Sequence, residues 1–242
     1  MSVALSLGEI LARPDVWRGD RLASAALPAV SSGFALLDAE LPGEGWPRGT
    51  LTEILADGAG VGECSLLMPA LIRMREEGRW SLLVGPPHLP HGPAWASWGI
   101  DLARLAVVSP IRPRDALWAA EQALSSGALG TVVYWAPHID ARQVRRLQVA
   151  CAGSNTLAFL LRPHAAGSEA SAAALRLSLS AGTNGRLDIK LLKRRGPPCN
   201  RTLSLALPRP VKSRKQHASA ATLARPPFAA PPARSLRPVI LA

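Results

Sequence analysis

The chain has 242 residues, 48% of them hydrophobic, enough for one ordinary domain of roughly 150 to 200 residues with appendages. That composition excludes a chain disordered throughout, and no run approaches the roughly 18 to 20 uninterrupted apolar residues of a membrane span. The net charge of +11 is unevenly placed: all 17 acidic residues precede Lys193, whereas 11 of the 28 basic residues lie from Lys193 onward.

In chain order, residues 2–12 carry apolar side chains at helical spacing and stop before Pro14, which predicts a short helix. The first ten residues lack a basic start and meet Glu9 early, so they do not read as a signal peptide. A polar, Ala-rich connector leads to Val30, and Gly and Pro then punctuate residues 31–49, marking tight turns. Residues 50–56 read as a buried strand, followed by a Gly-rich loop and a helix over 63–77 that Pro69 should bend or interrupt. The alternation continues with strand 80–84 and short helix 94–98, then strand 105–109 and helix 114–125. Strand 131–135 and helix 141–152 come next, and strand 156–161 closes the series. Short apolar strands alternating with amphipathic helices predict an α/β fold, a mainly parallel sheet flanked by helices.

After a small-residue linker (165–173) the pattern changes. Residues 175–179 and 187–191 alternate apolar and polar on either side of Thr183-Asn184-Gly185, a hairpin signal, and 203–207 reads as a further strand. Beyond Pro208 the chain is mostly Pro, Ala, Ser and Arg until Val239-Ile240-Leu241, the composition of a disordered basic tail. The expected division is an N-terminal helix and connector (1–30), a core (31–207) and the tail (208–242).

Cys64, Cys151 and Cys199 form no CxxC pair, which argues against a disulfide framework or zinc ribbon and for a reducing cytoplasm. Each reads as a small buried apolar residue. His88 and His91 share a Pro-rich loop without the further ligands a metal needs.

Strand, Gly-rich loop and helix is the layout that seats phosphates on backbone amides at a helix N-terminus. The loop here is Asp57-Gly58-Ala59-Gly60-Val61-Gly62-Glu63-Cys64-Ser65. A working phosphate loop needs GxxxxGK[ST]. Taking Gly62 as its second glycine puts Asp57 at the first, Glu63 at the lysine and Cys64 at the hydroxyl. A carboxylate within about 4 Å of a phosphate charge is repulsive by about 1 kcal/mol in water and by several in a drier site. The acidic residue that should end a hydrophobic strand and hold magnesium is also missing, since Trp135 occupies that place. The reading is loss of ATP hydrolysis: no catalytic residue, no cofactor and no metal. A divergent NTPase using an arginine such as Arg73 in place of the lysine is the enzymatic alternative.

The residues reached so far resemble a RecA-like core. Ser32-Gly33-Phe34-Ala35-Leu36-Leu37-Asp38 with Gly43, Gly45, Pro47, Gly49 and Glu53-Ile54 looks like its opening. Trp98-Gly99-Ile100-Asp101-Leu102-Ala103-Arg104-Leu105 with Ser109-Pro110 looks like its next βα unit. The chain is more closely similar to the ImuA family of bacterial mutagenesis proteins. The likeness is carried by Trp17-Arg18-Gly19, the run from Leu41 to Gly49, Gly62-Glu63, Pro86-Pro87, Asp115 to Gln122 and Leu192-Lys193-Arg194-Arg195-Gly196. It covers about residues 8–207. Where RecA proteins carry a water-activating glutamate, the matching position is Pro87. The resemblance implies an accessory protein of SOS-induced translesion synthesis, beside an inactive Y-family polymerase relative (ImuB-like) and an error-prone C-family DNA polymerase. RecA itself is a further implied partner, and the implied location is the cytoplasm, at the nucleoid. A RecA-fold inhibitor of cell division and a DNA-binding accessory protein acting through its tail remain as rivals.

For partner or DNA contacts, Trp46 and Trp95 in Gly/Pro-rich loops are the candidate exposed anchors, whereas Trp80, Trp118 and Trp135 are expected in the core. Arg142, Arg145 and Arg146 on one helix are candidates for phosphate or an acidic partner, with an ordinary solvated face as the alternative. Lys193, Arg194 and Arg195 are candidates because no acid follows them. Lys212, Arg214 and Lys215 extend the basic set, and Val239, Ile240 and Leu241 are expected to anchor the tail on a partner.

Overall fold

A computed structural model describes residues 28–208. The expected N-terminal helix lies outside the described residues, as do Lys212, Arg214, Lys215, Val239, Ile240 and Leu241.

Leu51–Ala56 (β3), Ser81–Val84 (β4), Leu105–Val108 (β5), Thr131–Trp135 (β6), Leu157–Pro163 (β7) and Leu175–Ala181 (β8) are parallel neighbours in one sheet. Leu187–Lys193 (β9) and Thr202–Leu205 (β10) continue it antiparallel, giving the order β10-β9-β8-β3-β7-β6-β4-β5. The expected α/β architecture therefore holds: apolar runs make most of the parallel part, and the alternating runs of β8 and β9 form the antiparallel hairpin, with β8 also pairing parallel to β3. Asn184 takes a left-handed φ of 55° in the β8–β9 turn, where the hairpin was expected at Thr183-Asn184-Gly185.

The helices divide between the two faces. Glu63–Glu76 (α2) contributes Leu66, Leu67, Ala70 and Met74 to a core with Ile54, Phe159 and Leu177. Pro113–Ser125 (α4) and Ala141–Cys151 (α5) bury Ala116, Leu117, Ala120, Leu124, Val144, Leu147 and Cys151 in the opposite core, with Val132 and Leu160. Gly92–Ser97 (α3) is short and begins at His91, whose Nδ1 accepts the Ala94 N–H at 3.3 Å. That is a helix-capping role for this histidine. Asp140 and Gln143 form a reciprocal capping box on α5.

Before β3, Ala35–Asp38 (α1) follows a two-residue strand, Ala29–Val30 (β1), which pairs with Trp46–Pro47 (β2). The Asp38 carboxylate accepts from Ser31 Oγ at 2.6 Å and Ser32 N at 2.8 Å, tying the turn to α1.

Two expectations are corrected here. α2 runs through Pro69 without interruption: the proline ring turns toward Gly33, where a Cβ would lie 2.6 Å from Pro69 Cβ. The tryptophans exchange roles. Trp46 is fully buried, in edge-to-face contact with Phe159 at 5.3 Å between ring centroids. Trp80 and Trp118 are 46% and 63% exposed. Pairing of β2 with β1 swings Trp46 inward over the sheet, which loop composition does not reveal. Trp118 stands next to Leu117, one step off the buried stripe of α4, so the helical period turns it outward.

Candidate functional site

The C-terminal ends of β3, β6 and β7 open onto a cleft of about 280 Å³, lined by Ala56, Trp135, Ala136, Pro137 and Leu161 and closed at one end by Gly58, Ala59 and Glu63. A smaller hollow of about 210 Å³ adjoins it, sharing Ala59, Glu63, Pro87 and Trp135 and reaching Cys64, Leu89 and Trp95. Open α/β sheets hold ligands at this edge, where successive connections leave for opposite faces. Here α2 follows β3 on one face and α5 follows β6 on the other.

The loop between β3 and α2 is built from three left-handed glycines, Gly58, Gly60 and Gly62, at φ of 79°, 87° and 116°. Alternation of that kind turns successive amides toward one point, a concavity suited to an anion. The anion present is the chain's own. The Glu63 carboxylate accepts the Gly60 N–H through both oxygens, at 2.9 and 3.2 Å, and the Gly62 N–H at 3.1 Å. Glu63 is buried at 4% exposure and opens α2, where the helix dipole also favours a negative charge. Leu207 and Leu187 cover Gly62 from the other side.

Cys64, at the hydroxyl position, is half-buried; burial, with the Glu63 charge beside it, pushes its thiol up to about 12. Burial likewise pushes the Cys151 thiol up to about 12. At neutral pH both are inert small side chains. Trp135 presents an indole to the cleft where an acidic residue would hold a metal, and Pro87 forms part of the wall. Arg73 is exposed and paired with Glu76 at 3.3 Å. It lies ten residues into α2, about 15 Å along the axis from Glu63, so it does not stand beside the loop as expected.

Beneath the cleft lies a group that pattern reading missed. Glu53, fully buried on β3, accepts from Arg162 Nη1 at 2.7 Å and Arg176 Nε at 2.5 Å. Arg162 also reaches the Ile139 carbonyl and Glu169, and Arg176 reaches the carbonyls of Ala166 and Glu169. Register explains the arrangement, since Glu53 pairs with Arg176 across β3 and β8 and Arg162 sits on the other neighbour, β7. The legible signal was Glu53 inside a strand read as buried; Arg176 lay at a polar position of an alternating run and Arg162 just past the expected end of its strand.

The basic candidates separate. Arg194 is held by Glu40 at 2.7 Å and by the Pro197 carbonyl, and Lys193 donates to the Ser171 carbonyl. The acid that occupies Arg194 comes from 154 positions earlier in the chain, so the absence of a following acid did not leave it free. Arg195 is exposed. Arg142, Arg145 and Arg146 are exposed together on α5, while Trp95 is half-buried against the core.

Among known proteins, a family model described as the MT3502 N-terminal domain matches residues 39–150. The cell division inhibitor SulA of Edwardsiella piscicida is 30% identical over 118 residues, 48% of this chain and 70% of that protein. SulA of Pectobacterium atrosepticum is 31% identical over 106 residues, 43% of this chain and 63% of that protein. RecA of Chlorobaculum parvum is 34% identical over 116 residues, 48% of this chain and 33% of that protein. With its parallel sheet, its glycine loop and these similarities, the chain belongs to the RecA-related family of the SulA cell division inhibitors.

Proposed function

We propose that this chain is a non-catalytic accessory protein of SOS-induced, error-prone translesion DNA synthesis. It bridges an inactive, ImuB-like Y-family polymerase relative and an error-prone C-family polymerase, with RecA as a further contact. The observation that carries the non-catalytic part is the Glu63 carboxylate on the amides of Gly60 and Gly62. A nucleotide phosphate would have to displace a buried internal anion, and neither a lysine nor a metal-holding acid stands nearby to favour the exchange. The ImuA-like motifs, spread over about residues 8–207, support the mutagenesis role and extend beyond the stretch shared with the SulA relatives.

A second reading, inhibition of cell division, is favoured by the identity with SulA proteins. The two readings separate in one experiment: co-purification of the full-length chain with the polymerase relative from its own genome and, in parallel, with the division GTPase. Stable binding to the first supports the accessory role. Binding to the GTPase alone replaces it with the inhibitor role. Repeating the experiment with a chain ending at Leu207 tests whether the tail carries the contact.

A further inference from the structure

α4 and α5 pack side by side on one face of the sheet, and their outward sides form a groove of about 390 Å³. Glu121 and Ser125 form one wall and Arg142, Arg145, Arg146 and Val149 the other; Trp118 stands one turn before Glu121 on the same helix, just beyond the lining. Trp118 and Val149 are 63% and 66% exposed, although both helices already bury a complete apolar stripe beneath them. Arg146 closes on Glu121 at 2.5 Å, while Arg142 and Arg145 have no acidic partner among the described residues. The groove therefore sets the exposed Val149 beside two uncompensated guanidinium groups, with the exposed indole of Trp118 one turn along the neighbouring helix.

We propose that this groove docks an acidic amphipathic segment of a partner protein. Its carboxylates reach Arg142 and Arg145, while separate apolar side chains of the segment cover Val149 in the groove and the Trp118 indole further along α4. Charge complementarity selects an acidic partner, because Arg pairs carboxylates bidentately and the groove carries a net positive charge. The exposed indole selects a protein segment over nucleic acid. Tryptophan and arginine are the residue types that dominate protein interfaces, and Glu121 inside the groove opposes a phosphate backbone. The inference goes beyond the mutagenesis reading and stands under either proposed function.

The test is fluorescence anisotropy of a labelled helical peptide of about 15 residues, with Leu and Glu at helical spacing, titrated with the full chain. A peptide with Lys in place of Glu and a single-stranded oligonucleotide serve as the other probes. The acidic peptide should bind saturably, at least tenfold more weakly to Arg142→Glu/Arg145→Glu and to Trp118→Ala, while the Lys peptide binds to none. All substitutions sit at exposed positions, and thermal melting checks that each variant folds. If Trp118→Ala melts early, Arg142→Gln/Arg145→Gln carries the comparison alone. Three results overturn the proposal: no saturable binding of the acidic peptide, equal affinity in the charge variants, or oligonucleotide binding that is lost in those variants.

Discussion

At the scale of single residues, the informative feature is a carboxylate in a place built for anions. Glu63 and the amides of Gly60 and Gly62 satisfy one another, so the loop is ordered without a ligand. Replacing Glu63 by Ala should uncover those donors and remove a like charge from any incoming phosphate, worth about 1 kcal/mol even when well solvated. The expected outcome is that inorganic pyrophosphate binds the variant at least about fivefold more tightly than the parent in isothermal titration. Equal affinity would show that the loop, not its carboxylate, excludes the anion.

Glu53 makes the opposite kind of site, in which charge is buried for structure. Arg162 and Arg176 are almost fully covered, and Glu53 is their shared counter-ion. Glu53→Gln leaves two buried cations short of an anion, and breaking a buried pair from one side costs about 3–5 kcal/mol. Against a total stability of about 5–15 kcal/mol that is a large share, and the urea midpoint should fall accordingly. Glu40 supplies a pH-dependent contribution. Burial alone would raise its pKa, but hydrogen bonds from Arg194 and Cys199 and the charge of Arg201 outweigh that and lower it from 4.5. A carboxylate depressed in the folded state stabilises fully above its unfolded value and loses that contribution as pH falls through the folded one. Stability should therefore drop on acidification below about pH 4.5, and the drop should be shallower in Arg194→Ala, as read by urea titration at a series of pH values.

At the scale of elements, α2 shows how a local rule yields to a packing contact. Pro69 has no N–H to donate within the helix, yet its ring sits where only a glycine leaves room, at Gly33 with φ of 83°. Gly33→Ala should cost about 2 kcal/mol, combining a left-handed backbone for an L-residue with a Cβ forced against Pro69. Equilibrium unfolding would measure it, and an unchanged midpoint would mean that the α1 turn is not pinned there. Most elements were legible within a residue or two, because strands between Gly/Pro turns and amphipathic helices carry their own period. The tryptophans were not. Trp46 sits in a two-residue strand whose partner, Ala29–Val30, is separated from it by α1, and Trp118 differs from a core residue only by its angle around α4.

For the whole molecule, charge and fold are arranged independently. The sequence up to Leu192 is formally neutral, and the excess of +11 falls after it. If that excess meets nucleic acid, binding should be electrostatic. With about six phosphates neutralised, affinity for single-stranded DNA should fall by about a hundredfold or more between about 50 and 200 mM salt. Filter binding across that range would check it, and a flat salt dependence would exclude a tail-driven DNA function. Among the described residues no helix is long and apolar enough to cross a membrane.

Legible in the residues alone were the alternation of strands and helices, the β8–β9 hairpin, the missing lysine of the glycine loop and the tryptophan that stands at the end of β6 in place of a metal-holding acid. These are local matters of period, turn chemistry and residue identity. The folded chain adds that Glu63 turns back onto the amides of its own loop, that Arg194 is taken by Glu40, and that Glu53 joins β7 to β8 through two arginines. It also shows that Trp118 and Arg145 face water together. The Glu63 contact spans three residues at most but rests on loop dihedrals that three glycines permit without dictating. The others depend on which residues strand register and packing bring within about 3 Å across a hundred or more positions, or on which side of a helix the core happens to lie. Neither quantity is encoded in any short window of the chain.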